Sequence, residues 1–207
     1  MIATGAPMLQ METPRLLLRQ WRESDREPFA AMNADAETMT YFPAPMTPEE
    51  SGAAIERYVA GFERTGFGFF ATELRETGAF VGLIGMQVLR DVIPGLPEGS
   101  VEIGWRLDRR YHGQGLATEG ARAVVEFAFR DCELPGVVAL TAQGNQASRR
   151  VMEKLGMTYA PELDFDHPRM PAGHPHQRHA LYVLANSANP HGAKAEWFER
   201  LSCSTHS

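Results

Sequence analysis

Two hydrophobic periods alternate along this chain. From Val101 to Leu107 every second residue is apolar, with Val101, Ile103, Trp105 and Leu107 standing between Glu102, Gly104 and Arg106. That alternation predicts a half-buried strand. From Leu116 the period lengthens: Leu116, Gly120, Ala123 and Phe127 recur at three- and four-residue steps with Val124 and Ala128 beside them, which predicts an amphipathic helix.

The same reading extends to the rest of the chain. Residues 11 to 20 read as one strand with Leu16 and Leu18 on one face, and Ser24 with Glu27 as a capping box opening a helix to about Asn33. Thr47-Pro48-Glu49-Glu50 is a second capping box, with Pro at the first helical position, for a helix to about Arg64. Gly66 to Leu74 and Phe80 to Leu89 predict two antiparallel strands joined at Glu76-Thr77-Gly78, and Asp91 to Gly99, rich in Pro and Gly, is a loop. After the Leu116 helix, Pro135-Gly136 breaks the chain and Val137 to Ala142 is a short buried strand. A helix from Asn145, a strand near Met157 to Glu162 and a last strand from His179 to Leu184 follow. Residues 186 to 207 read as an appended tail, in which Glu196 to Leu201 has the pattern of a short docking helix. One strand, two helices, three strands and then alternating helix and strand make a mixed α/β (α+β) fold rather than a doubly wound parallel sheet.

Composition narrows the function classes. With 207 residues and 43% hydrophobic content, the chain supports one core, hence one domain over residues 11 to 185 followed by the tail. A net charge of −6 argues against a nucleic-acid partner and suits amines, although ordinary solubility also explains it. The two cysteines, Cys132 and Cys203, make no disulfide framework, which fits a reducing cytoplasm. No apolar run of membrane-spanning length occurs, and Met1 to Gln10 is too polar and short for a signal peptide. A cytoplasmic protein without a membrane partner is expected, and the oligomeric state, a homodimer included, stays open.

The junction between the strand and helix carries the chemistry. Arg109-Arg110-Tyr111-His112-Gly113-Gln114-Gly115-Leu116-Ala117 sets two glycines, free to take positive φ, just before a helix N-terminus. Such a turn receives phosphate groups. It is not a Walker A loop, since no Lys-Ser or Lys-Thr follows the glycines. A dinucleotide fingerprint fails too, because Thr118 stands at the third glycine position and no strand ending in an acidic residue follows at the right distance. The spacing Arg110-x-x-Gly113-x-Gly115 instead resembles the acyl-CoA pyrophosphate loop of the GCN5-related N-acetyltransferases, the GNAT family. Asn145-Gln146-Ala147-Ser148, opening a helix that ends at Lys154-Leu155-Gly156-Met157, resembles the second acyl-CoA motif of that family. Capping by Asn145 and Gly156 explains the ends of this helix but not Asn145 and Ser148 together. Met11 to Arg19 resembles the first strand of the RimJ/RimL-like branch. The three matches span most of residues 11 to 185.

The resemblance implies a central, mostly antiparallel, splayed sheet flanked by helices. It implies acetyl-CoA as co-substrate, threaded where the Glu102 strand parts from the Ala139 strand. Backbone N–H groups of Trp105, Arg106 and Leu107 would then bond the pantetheine arm. Residues Tyr111, His112, Gly113, Gln114, Gly115, Leu116 and Ala117 would take the pyrophosphate, and Asn145 would bond the pantetheine amides; Arg110 and Arg149 are candidates to pair with phosphates, against solvated helix-end charges. Direct transfer to a primary amine, of a peptide N-terminus or a small molecule, needs a base and an acid. Glu102 is the candidate base, against a structural carboxylate bonded to nearby backbone. Ser148 is the candidate acid for the departing thiolate, against a helix-start hydroxyl bonded to backbone. Glu162, Asp164 and Asp166, at alternating positions, are candidates to hold a cationic acceptor, against exposed strand-end charges. No metal is expected: His167, His174, His176, His179 and His191 lack ligand spacing and read as a solvated loop. The competing functions are a non-catalytic acyl-CoA sensor and a nucleotide-binding protein.

Overall fold

The computed structural model describes residues 9–188, so His191, Cys203 and the Glu196 to Leu201 segment lie outside the described residues. Among the described residues nine strands form one sheet: β1 (Met11–Glu12), β2 (Leu16–Arg19), β3 (Phe69–Leu74), β4 (Phe80–Val88), β5 (Val101–Leu107), β6 (Gly136–Ala142), β7 (Thr158–Tyr159), β8 (Phe165–Asp166) and β9 (Arg178–Ala185). Their order is β1-β2-β3-β4-β5-β6-β9-β7, with β8 also on β9. Every pairing is antiparallel except β5 with β6. Among the described residues four α-helices accompany it: α1 (Arg26–Ala34), α2 (Pro48–Thr65), α3 (Leu116–Arg130) and α4 (Gln146–Lys154).

Strand alternation distributes the core over two faces. Toward α3, Leu16, Leu18, Phe70, Ile84, Ile103 and Leu107 pack with Leu116 and Val124. On the other face Phe69 and Leu83 pack with Phe29 and Met32 of α1 and Ile55 of α2. Leu83 stands opposite Arg106, and cross-strand partners share a face. Glu102, Gly104 and Arg106 therefore belong to the α1–α2 side of β5, away from α3.

The second capping box forms as the sequence predicts: Thr47 N–H donates to Glu50 Oε2 at 2.8 Å and Glu50 N–H to Thr47 Oγ1 at 3.2 Å. Such caps contribute about 1 kcal/mol. Three expectations change. The strand over residues 11 to 20 breaks at Thr13-Pro14-Arg15 and folds back, bringing Met11 opposite Leu18. The first helix is entered through a 3₁₀ turn, Glu23–Asp25, and its organiser is Asp25 rather than Ser24 and Glu27. The Asp25 carboxylate accepts Arg22 N–H at 2.7 Å and Arg19 Nη1 and Nη2 at 2.7 and 2.9 Å. The strand expected over 157 to 162 shrinks to β7, because Pro161 opens a 3₁₀ turn to Leu163 and a prolyl nitrogen cannot extend a ladder.

Candidate active site

The sheet opens at Glu102. Strands β4 and β5 pair at seven positions and β6 and β9 at seven, but β5 meets β6 only at Glu102 and Val138. Backbone direction fixes what faces the gap. Asp108 N–H donates to Val81 C=O and Leu89 N–H to Ser100 C=O, so in this register the even-numbered residues of β5 bond β4 and the odd-numbered ones turn outward. Of the three amides expected on the pantetheine arm, those of Trp105 and Leu107 face the gap. Arg106 is the correction: its amide pairs with Leu83 across the ladder, and its side chain points to the α1–α2 face.

A cleft of about 1050 Å³ runs through this gap, lined by residues of the 111–118 turn, of α4, of the α1–α2 connection and of the segment entering β9. At one end Gly113 (φ 74°) and Gly115 (φ 79°) shape the turn. Tyr111 and His112 line the cleft, and their N–H groups donate to the Asp108 and Arg109 carbonyls at 2.9 and 3.1 Å, so these two amides are engaged within the turn. The amides of residues 113–118 have no intramolecular acceptor among the described residues, and the first α-helical bond is Glu119 N–H to Gly115 C=O. The run of amides free to meet a ligand thus begins two residues later than Tyr111 and takes in Thr118. Gln114 Nε2 donates to Arg110 C=O at 3.0 Å, and the His112 Nε2 to Leu107 C=O contact of 2.8 Å ties the turn to β5.

The sequence reading missed the brace that holds this turn. Glu119 accepts from Thr13 Oγ1 at 2.6 Å, Arg15 N–H at 2.8 Å and Arg15 Nε at 2.6 Å, while Arg15 Nη1 reaches Gln114 C=O at 2.9 Å. Burial raises the Glu119 pKa, and these hydrogen bonds together with the Arg15 charge outweigh it, leaving the carboxyl below its ordinary value. Arg110 is closed onto Asp108 through Nε and Nη2 at 2.9 and 2.7 Å, and Arg149 donates to Tyr182 Oη at 2.9 Å. Both guanidiniums are thus already held by partners within the chain.

On α4 the Asn145 side chain accepts Ser148 N–H at 3.2 Å and donates through Nδ2 to Thr141 Oγ1 at 3.0 Å. The three-residue spacing of Asn145 and Ser148 therefore does follow from capping, contrary to the expectation. One Asn145 amide hydrogen remains for a ligand. The Ser148 hydroxyl makes no hydrogen bond within the described residues and lines the cleft, unlike a hydroxyl bonded to its own backbone.

Glu102 lies partly exposed where the strands part, with Gln87 Nε2 donating to its Oε2 at 3.2 Å. Burial pushes its pKa from 4.5 up to about 7, against the smaller lowering by Gln87 and the Arg169 charge. Nearby, Arg169 and Asp91 pair at 2.7 Å. His167 and His179, whose rings stand 4.7 Å apart, form part of the cleft wall rather than a solvated loop. Burial first, then the charge of His179, brings the His167 pKa down to about 4, so its imidazole is neutral at pH 7. Their approach follows from β8 pairing with β9, which the sequence pattern did not signal. Among the described residues no group of three or more His, Cys, Asp and Glu is placed to hold a metal, and no helix is long and apolar enough to cross a membrane.

The acidic triplet is not at the cleft. Asp164 accepts from Gln143 Nε2 at 2.7 Å and Tyr159 Oη at 2.6 Å, and Asp166 faces Arg178 at 3.6 Å. None of Glu162, Asp164 and Asp166 lines it, because the 3₁₀ turn at Pro161 carries them to the outer side of β9.

A free run of amides at a helix start, beside two strands that part, is the geometry expected for acyl-CoA, and a family model for the acetyltransferase (GNAT) domain matches residues 15–158. The chain belongs to the GNAT family. It is 28% identical over 149 residues to the uncharacterized N-acetyltransferase YnaD of Bacillus subtilis, covering 72% of this chain and 82% of that one. It superposes on a GNAT acetyltransferase of Bacillus anthracis with a TM-score of 0.71 at 25% identity, covering 86% and 99%. The RimL ribosomal L7/L12 α-N-protein acetyltransferase, solved with coenzyme A, shares the fold with a TM-score of 0.69 at 16% identity over 86% and 98% of the two chains. The GNAT chain is thus an acetyl-CoA-dependent N-acetyltransferase, with acetyl-CoA as its co-substrate.

Proposed function

We propose that the acceptor is a primary amine and that Glu102 is the general base. The observation that carries this reading is the position of Glu102: a carboxylate at the opening of the sheet whose proton affinity is raised to about pH 7, matched to removing a proton from an amine at neutral pH. The neutral amine attacks the thioester carbonyl and a C–N bond forms. The oxyanion is met by the outward amides of β5. Collapse then breaks the C–S bond and Ser148 protonates the departing thiolate, recovering its own proton from water, while Glu102 releases the proton taken from nitrogen to water, so that one proton passes in net from nitrogen to sulfur. The 113–118 amides at the positive end of α3 hold the pyrophosphate meanwhile. A cytoplasmic setting with reduced thiols fits this chemistry.

Thiol release from acetyl-CoA, followed with and without a panel of primary amines and paired with product mass, tests the reading. Amine-dependent release with an acetylated nitrogen supports it. Saturable CoA binding with no amine-dependent release across the panel makes the chain a binding module and overturns it.

A further inference from the structure

Arg106 is a half-buried cation without an anion among the described residues. Its Nη1 donates to Asn33 Oδ1 at 2.7 Å and lies 3.7 Å from Met46 Sδ, and the Phe42 ring covers the guanidinium face at 4.0 Å. Asn33 is itself fully buried and held by Nδ2 donation to Ser51 Oγ at 3.0 Å, which fixes the carbonyl that Arg106 meets. No carboxylate of the described residues pairs with Arg106. Its Nε is buried with no acceptor, and Nη2 makes no hydrogen bond within the described residues. Nε and Nη2 are the parallel edge of a guanidinium, the edge by which Arg110 grips Asp108 in this same chain, and they match the two oxygens of a carboxylate. An unmet buried donor on a charged group marks a missing partner.

The surroundings favour an anion there. Seven Arg and Lys side chains line the cleft against three carboxylates, in a chain of net charge −6. Of those carboxylates Glu37 is held by Arg109 at 3.0 Å and Asp91 by Arg169 at 2.7 Å. Glu102 and Arg106 share one face of β5, so their Cα atoms are four residues, roughly 13 Å, apart, with the Phe69 ring lying over Gly104 between them. Resting on the acceptor reading above, we propose that Arg106 is a specificity-determining residue that binds an anionic group of the acceptor, so that the amine acetylated at Glu102 carries a carboxylate about the length of a three- or four-residue extended peptide away. A C-terminal carboxylate and an acidic side chain at that distance offer the same chemistry.

Three acceptors separate the sources: triglycine, its C-terminal amide, and amidated glycyl-glycyl-aspartate, each assayed with the wild-type chain, Arg106→Met and Arg106→Lys. The wild type is expected to use at least one of the two anionic peptides about tenfold or more better in kcat/KM than the neutral amide. The ratio should fall to near one in Arg106→Met and stay above one in Arg106→Lys. Triglycine preferred identifies the terminal carboxylate, and the aspartate peptide preferred identifies a side chain. In the presence of CoA, the N-acetylated form of the preferred peptide should raise the melting temperature of the wild type more than that of Arg106→Met, a readout that needs no turnover. Equal use of acid and amide by the wild type, an equal loss on both in Arg106→Met, or weakened CoA binding in that variant overturns the proposal while leaving amine acetylation standing. If Arg106→Met does not fold, the wild-type ratio and Arg106→Lys decide. Absence of transfer to any amine overturns the parent reading instead.

Discussion

Glu102→Gln separates a catalytic carboxyl from a structural one through its effect on stability as a function of pH. The Glu102 pKa is raised from 4.5 to about 7 by burial, so the native state binds its proton more tightly than the unfolded chain does. Stability from that proton is fully present below pH 4.5, declines as pH rises, and is gone above about pH 7. The shift corresponds to about 3 kcal/mol, an upper figure because the cleft admits water. Glutamine is uncharged throughout and can still accept from Gln87 through its amide oxygen. Melts of the two proteins should coincide near pH 4.5, and at pH 8 the variant should be more stable, by up to roughly 6 to 12 °C for a chain of this size. Turnover should fall in the variant with CoA affinity nearly intact, and the deficit should shrink as pH rises and more amine is already neutral. A variant less stable than wild type at pH 8, with unchanged turnover per folded molecule, would show that the carboxylate is structural.

Other substitutions probe the remaining parts. Gly113→Val and Gly115→Val force a β-branched residue into positive φ at about 1–3 kcal/mol each. Nothing lies within 4 Å of a Cβ at position 113, so strain rather than collision should distort the amide run and weaken CoA binding in calorimetry; undiminished affinity in both would place the phosphate site elsewhere. Ser148→Ala should leave stability within about 0.5 kcal/mol, since its hydroxyl has no partner to lose, yet lower turnover without rescue at high pH; wild-type turnover would remove it as the acid. Glu119→Ala should cost about 2 kcal/mol in urea unfolding at pH 7 and loosen CoA through Arg15 and Gln114. Because the Glu119 pKa is lowered, that loss should shrink as pH falls through the acid range; a loss independent of pH would mean that packing, not charge, is at stake.

What the sequence could reveal followed the range of the interaction. The Thr47–Glu50 box, the β5 alternation and the α3 stripe depend on neighbours within a few residues, and each appears where the pattern puts it. The positive φ of Gly113, Gly115 and Gly156 is equally local. Contacts across the chain stayed hidden: Glu119 meets Thr13 and Arg15 more than a hundred residues away, and no pattern near either end announces it. The direction of the Arg106 amide depends on which edge of β5 faces β4, a tertiary fact. Once that edge is known, the parity of residues 105, 106 and 107 follows. The Asn145–Ser148 spacing, which the sequence pattern alone does not explain by capping, is itself the cap.

A crystal structure of the complex with acetyl-CoA tests the central claim most directly. The pyrophosphate oxygens should lie within hydrogen-bond distance of backbone N–H groups in residues 113–118, with the pantetheine between β5 and β6 and the thioester beside Ser148. A pyrophosphate bound away from that turn, or an acyl arm that does not enter the gap beyond Glu102 and Val138, would contradict it.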